Sequence, residues 1–166
     1  VECLANRVFA HGYERILVFN NPRSRTFMHL DVLCTMVDRD TFLTHPCIYE
    51  KQFDVYELTG SPNRLHISLT TDPVNRIFAR VLGESSVRFI EMGGGDPIIA
   101  AREHWNMGSN SLTLSPGHII TYDRNDVTNS LLVKAGIEVE TIPGGELCRG
   151  RGGPRCMSMP LKRERL

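Results

Sequence analysis

The run Asp72-Pro73-Val74-Asn75-Arg76-Ile77-Phe78-Ala79-Arg80-Val81-Leu82-Gly83, followed three residues later by Val87-Arg88-Phe89-Ile90-Glu91, decides the fold class. Asp72 offers an N-cap oxygen and Pro73 a preset φ for the first helical position. Val74, Ile77, Phe78, Val81 and Leu82 then fall on one face of a 3.6-residue period, and Gly83 closes the helix. A buried strand over Val87–Glu91 follows, and Gly93-Gly94-Gly95-Asp96 turns the chain. The same grammar appears on either side. Upstream, Val1, Leu4, Ala5, Val8 and Phe9 share a helical face that stops at Gly12; a strand over Arg15–Phe19, a break at Asn20-Asn21-Pro22 and a strand over Phe27–Val37 follow. Downstream, Ser111–Leu114 is predicted to be a strand. A helix carrying Val127, Leu131, Leu132 and Ala135 ends at Gly136, and Ile137–Ile142 forms the strand after it.

Helix, glycine, strand, loop and second strand thus recur three times, with the glycines 71 and 53 residues apart. Unequal spacing makes this a structural repeat without sequence identity. An ordinary α/β domain would show similar alternation. Either way, the fold class is α/β.

Composition bounds the function. The 166 residues carry 19 Lys+Arg against 19 Asp+Glu, so the chain lacks the basic excess of a nucleic-acid or anionic-membrane binder. At 41% hydrophobic and 23% charged residues it is globular in composition, and apolar runs such as Ile16–Phe19 fall far short of the ~20 residues that span a bilayer. Five cysteines, an odd number without tight spacing, suggest free thiols in a reducing, cytoplasmic compartment. Cys34, His45 and Cys47 are too scattered for a structural zinc site, so no metal is expected. Cys3 and Cys34 are expected to be small core residues. The charged tail Lys162–Arg165 is expected to be solvated. Val1 stands where an initiator methionine would, which suggests a piece of a longer chain.

Two stretches could carry chemistry. In Met28-His29-Leu30-Asp31, read as the start of a strand, His29 and Asp31 point to one face and Met28, Leu30 and Val32 to the other. An imidazole and a carboxylate would then project together, although a polar solvent face has the same pattern. In Gly150-Arg151-Gly152-Gly153-Pro154-Arg155-Cys156-Met157-Ser158-Met159-Pro160, the glycines open the backbone to a ligand, and Arg151 and Arg155 bring positive charge that favours a Cys156 thiolate. A glycine-rich surface loop ending in a buried cysteine is the alternative. His29 lies 17 residues beyond Gly12 and Cys156 20 beyond Gly136, so both are predicted on the second strand of their repeats. Units arranged about a centre would bring a nucleophile, an acid/base and a carboxylate together there. His11, His45, His66, His104 and His118 lack such a setting and are assigned surface or structural roles.

These stretches, together with Arg102-Glu103-His104-Trp105-Asn106, Gly108-Ser109-Asn110 and Thr121-Tyr122-Asp123-Arg124-Asn125, resemble the C-terminal portion of the arginine deiminase family. The resemblance extends from about Val1 to Leu166 and is most specific over Arg149–Pro160. It implies a segment of a pentein-type propeller, five pseudo-symmetric ββαβ units around a central site. Residues 1–166 would be a partial catalytic domain without the family's N-terminal part and helical insert.

The resemblance further implies hydrolysis of L-arginine to L-citrulline and ammonia with no cofactor. The residue matching Cys156 attacks the guanidinium carbon to give a thiouronium. The one matching His29 is acid, then base. The one matching Asp31 holds the guanidinium, and those matching Arg151 and Gly150 contact substrate, the arginine moving as it does so. It implies L-arginine as the bound partner, no nucleic acid or membrane, and a homo-oligomer for the full-length enzyme. The family's catalytic Glu, a second guanidinium-binding Asp and further Arg residues lie ahead of Val1. Glu91, before a Gly-Gly-Asp turn, belongs to a different repeat and is not given the catalytic role. Val32 stands where the family usually has Thr and should face inward. The isolated chain is therefore expected to be inactive and marginally soluble. Two rivals remain: a non-catalytic arginine- or partner-binding fragment, and a related guanidine-modifying enzyme such as an amidinotransferase or methylarginine hydrolase.

Overall fold

The computed structural model describes residues 1–21, 23–50 and 54–162. Pro22 of the predicted break and residues 163–165 of the predicted tail lie outside the described residues. In chain order the elements are α1 Glu2–Ala10, β1 Arg15–Phe19, β2 Cys34–Met36, β3 Thr41–Thr44, α2 Cys47–Glu50, β4 Val55–Ser61, β5 Arg64–Thr70, α3 Val74–Leu82, β6 Arg88–Glu91, α4 Pro97–Trp105, β7 Leu112–Ser115, β8 His118–Tyr122, α5 Asp126–Lys134 and β9 Glu138–Ile142. Among the described residues they form three three-stranded sheets, β1-β4-β5, β2-β3-β6 and β7-β8-β9.

Two of the sheets share one plan. β7 pairs antiparallel with β8, α5 crosses over, and β9 returns parallel to β8. β2 pairs antiparallel with β3, and β6 returns parallel to β3 after a crossover that contains α3. Each is a ββαβ unit, and they share a core in which Val37, Leu43 and Ile90 of the first meet Ile119, Leu132 and Ile137 of the second. The third recurrence departs from the plan. The crossover of the first unit also carries the hairpin β4–β5, and β1 pairs antiparallel with β4. Glu57 of β4 fixes that arrangement: it is 2.6 Å from Arg15 of β1 and 2.8 Å from Arg80 of α3. The Arg80 hydrogen bond pulls the Glu57 carboxyl below its ordinary range despite burial.

Several local expectations are corrected. The predicted strand Phe27–Val37 is a strand only over Cys34–Met36; ahead of it the chain makes 3-10 turns at Arg25–Phe27 and Leu30–Val32. The Ser24 side chain caps the first turn by accepting from Thr26 N–H at 3.3 Å, diverting the backbone from a ladder. Met28 and Leu30 are consequently exposed, whereas Val32 is buried as expected. α3 begins at Val74 with extended Pro73 as its cap, so Asp72 is not the N-cap. On α1 only Ala5 and Phe9 are buried; Leu4 is exposed, and so is Cys3, which is therefore no core residue. Cys34 does pack inward, and burial pushes its thiol up to about 12.

Candidate functional site

Cys156 is reached by turns and not by a strand. After the 3-10 turn Leu147–Gly150, Arg151 takes a left-handed conformation (φ 62°, ψ 33°). Met157 N–H then donates to Gly153 O at 3.1 Å and Ser158 N–H to Arg155 O at 3.3 Å. These local bonds, with Pro154 unable to donate, leave no ladder for a strand to join. The predicted strand placement of Cys156 is thus corrected, as is that of His29, which is a single extended residue (φ −131°, ψ 146°) capping Leu30–Val32. Because the segment is not a continuous strand, His29 and Asp31 do not form the alternating face that period-2 geometry would give.

The two stretches nonetheless converge. Cys156 Sγ lies 3.7 Å from Asp31 Oδ2, across 125 residues of sequence. The thiol is exposed, while Asp31 is half-buried and its Oδ1 is buried without a hydrogen-bond partner among the described residues. A nucleophile beside a carboxylate is a poor arrangement for a neutral or anionic electrophile, since the carboxylate repels negative charge. It suits a cationic one, whose N–H groups the carboxylate can accept. His29, two residues before Asp31 in the chain, is exposed and makes no side-chain cap to its turn.

Both loops are held from below. Thr35 Oγ1 donates to Asp31 O at 3.1 Å, and His104 Nε2 donates to Thr26 O at 3.0 Å. On the other side, Tyr122 OH donates to Gly152 O at 2.8 Å, and the buried Gly153 backbone rests against Asn110. Burial pushes the Tyr122 hydroxyl up from its ordinary range, with Cys148 and Cys156 adding to the effect, so it remains a proton donor at neutral pH. Val32, Met107, Tyr122 and Cys148 form the apolar floor under the site.

Arg151 and Gly150 do not join the Cys156–Asp31 pair. The Arg151 guanidinium lies 3.9 Å above the Trp105 ring centroid, and its Nε is buried without a partner among the described residues. Gly150 is exposed at the end of its turn. Trp105, with Arg102, Asn106, Asp123, Arg124 and Asp126, lines a cavity of about 650 Å³. Nothing in the sequence spacing of Trp105, Ser109, Asn110 and Tyr122 marks them as supports of the site.

His45 and His104 pack edge-on at 4.6 Å with Phe27 against both, a structural role as expected. Burial lowers both imidazole pKa values, and the proximity of His104 contributes to bringing His45 down to about 4. Among the described residues no three His, Cys, Asp or Glu side chains stand together as metal ligands, and no helix is long and apolar enough to cross a membrane.

A family model described as arginine deiminase matches residues 1–163. The arginine deiminase of Listeria monocytogenes serotype 4a (strain HCC23) is 49% identical over 170 aligned residues, covering 100% of this chain and 41% of that protein. That of Streptococcus sanguinis (strain SK36) is 47% identical over 155 residues, covering 93% of this chain and 38% of that protein. The chain thus spans about two fifths of the length of these curated relatives. Among solved structures, apo ArgZ, an arginine dihydrolase from the ornithine-ammonia cycle in cyanobacteria, is similar with a TM-score of 0.54 at 15% identity, covering 86% of this chain and 18% of that one. That likeness concerns the fold: a mixed α/β chain of small sheets.

Proposed function

The chain belongs to the arginine deiminase family, and on that premise we propose that it supplies the nucleophile and part of the guanidinium-binding site of an enzyme that hydrolyses L-arginine to L-citrulline and ammonia. The observation that carries the reading is the 3.7 Å approach of the Cys156 thiol to the Asp31 carboxylate. The Asp31 oxygens accept two guanidinium N–H groups, hold the cation by charge and hydrogen bonding, and present its central carbon to sulfur.

Cys156 gives its Sγ proton to His29 as Sγ forms a bond to the guanidinium carbon, and His29 delivers that proton to the departing nitrogen, which leaves as ammonia. The product is an S-alkyl thiouronium on Cys156. His29, now neutral, takes a proton from water; the resulting hydroxide adds to the same carbon, the C–S bond breaks, and citrulline leaves as the thiol is restored. No metal or organic cofactor enters this scheme. Gly150 and Arg151 contact the substrate from the loop, Arg151 through charge on the amino acid's carboxylate, which requires it to leave its stack on Trp105. In this reading residues 1–166 are a partial catalytic domain. The two ββαβ units belong to a five-unit ring, and the remaining acidic and arginine site residues come from the rest of the full-length protein, a homo-oligomer.

The test is citrulline formation by the full-length parent and its Cys156→Ala variant. Loss of turnover in a folded variant is expected; unchanged turnover would sink the assignment. Parallel assays on agmatine and methylarginine separate this reading from other guanidine-modifying activities.

A further inference from the structure

The two loops of the site are fastened to consecutive residues. Ser109 Oγ donates at 2.6 Å to Val32 O, the carbonyl directly after Asp31. Asn110 Oδ1 accepts from Cys156 N–H at 3.1 Å, and the Asn110 carbonyl accepts from Arg155 N–H at 3.5 Å. Both residues are buried, at 1% and 0% exposure, and the Ser109 bond is buried at both ends, so it does not compete with water. We propose that Ser109-Asn110 is the joint that positions the site, setting the distance between Cys156 and the Asp31 carboxylate; this rests on the reading of those two as the nucleophile and the guanidinium binder.

The surrounding backbone is built to keep the joint rigid. Gly108 N–H donates to Glu103 O at 2.7 Å and Asn110 N–H to Met107 O at 3.0 Å, closing the C-terminal end of α4 in a tight turn. Met107 takes φ 60° there, and a Cβ on Gly108 would sit 2.6 Å from Met92 Sδ and 2.9 Å from Glu103 O. Two loops 125 residues apart in sequence are thereby referenced to one peptide unit, so errors in their placement do not accumulate through the sheets. The amide of Asn110 is suited to the task. It supplies an acceptor for Cys156 N–H without placing a second carboxylate beside the nucleophile.

Because the joint acts through the placement of Cys156 and Asp31, its variants should impair the chemical step more than binding. In the full-length parent, Ser109→Ala and Asn110→Ala are each expected to lower kcat by about 10-fold or more with KM changed less than about 3-fold, as a small misplacement of reacting groups does. Because both act through one distance, the double variant should lie within about 3-fold of the worse single variant, a strong departure from additivity. All assays are run at a temperature where melting curves show each variant folded. A purely structural role predicts lowered Tm with parental kcat, or additive losses, and either result overturns the joint. Should Asn110→Ala not fold, Ser109→Ala, which removes one oxygen, still decides the matter: parental kcat refutes the proposal. An inactive Cys156→Ala alongside fully active joint variants refutes the joint alone, whereas an active Cys156→Ala refutes the site on which it rests.

Discussion

Replacing Gly153 with alanine puts a methyl carbon 2.5 Å from both the carbonyl oxygen and Oδ1 of Asn110 and 2.7 Å from its Cβ. Ordinary carbon contacts lie at about 3.5–4.0 Å, so the overlap is roughly 1 Å against three atoms at once. Asn110 cannot yield, being fully buried and tied to Met107 O. The loop must therefore move away. Cys156 is three residues on, hydrogen-bonded through its N–H to the same Asn110 side chain, with its sulfur 3.7 Å from Asp31. A shift of about 1 Å in a reacting group costs on the order of 100-fold in rate, and overpacking of this kind costs about 1–3 kcal/mol in stability. The assay is kcat for arginine hydrolysis by the full-length parent, with a thermal melt of each protein. Gly145→Ala is the control, because no atom lies within 4 Å of its Cβ position and its φ is not in the left-handed region; its stability should stay within about 0.5 kcal/mol of the parent. A Gly153→Ala enzyme with parental kcat and Tm would refute the claim that this glycine seats the cysteine loop on Asn110.

Three further outcomes follow from the same geometry. Tyr122→Phe leaves Gly152 O without its 2.8 Å donor and should lower stability by about 1–2 kcal/mol, read from the denaturant midpoint; an unchanged midpoint contradicts the tether. Glu103→Ala removes the buried acceptor of Val127 N–H, Thr128 N–H and Thr128 OH at the start of α5. The cost should be on the order of 3 kcal/mol, and Tm within 1–2 °C of the parent, roughly the error of a melt, would show that the cap is dispensable. His45 has its pKa held down to about 4 against an ordinary 6.5, and its Nδ1 accepts from Cys47 N–H at 3.0 Å only while neutral. Its contribution is present in full above about pH 6.5 and is lost as pH falls toward 4. His45→Asn keeps an acceptor without titrating in this range, so its Tm should decline less over that window; superimposable curves would contradict the assignment.

What could be read from the sequence divides by physical range. Helix ends were legible because glycine needs no context: Gly12, Gly83 and Gly136 all take positive φ just past their helices. The strands that follow these helices were found because short apolar runs after a stop have few alternatives. The hairpin β4–β5 went unpredicted although Pro62-Asn63 turns it, Asn63 takes φ 64°, and Leu65, Ile67 and Leu69 alternate with polar residues along its second strand, in which no residue is buried. α4 was also missed, although Asp96 caps it by accepting from Ile98 and Ile99 N–H, because Gly93-Gly94-Gly95 before it has the local pattern of a turn. For the site, residue types sufficed to choose Cys156, His29 and Asp31 as candidates. Their strand geometry was wrong, because it depends on the Ser24 cap and on long-range bonds from Ser109 and His104. The resting place of Arg151 on Trp105 was equally out of reach, since a left-handed arginine in a turn has no local signature.

The proposed mechanism requires that Cys156 become covalently attached to the guanidinium carbon of arginine beside Asp31. It is tested most directly by acid-quenching the full-length parent during turnover of L-arginine and mapping the adduct by mass spectrometry. The peptide containing Cys156 should gain the mass of arginine less one ammonia, and the adduct should disappear when substrate is exhausted. Rapid arginine hydrolysis with no such adduct, or with the adduct on another residue, would contradict it.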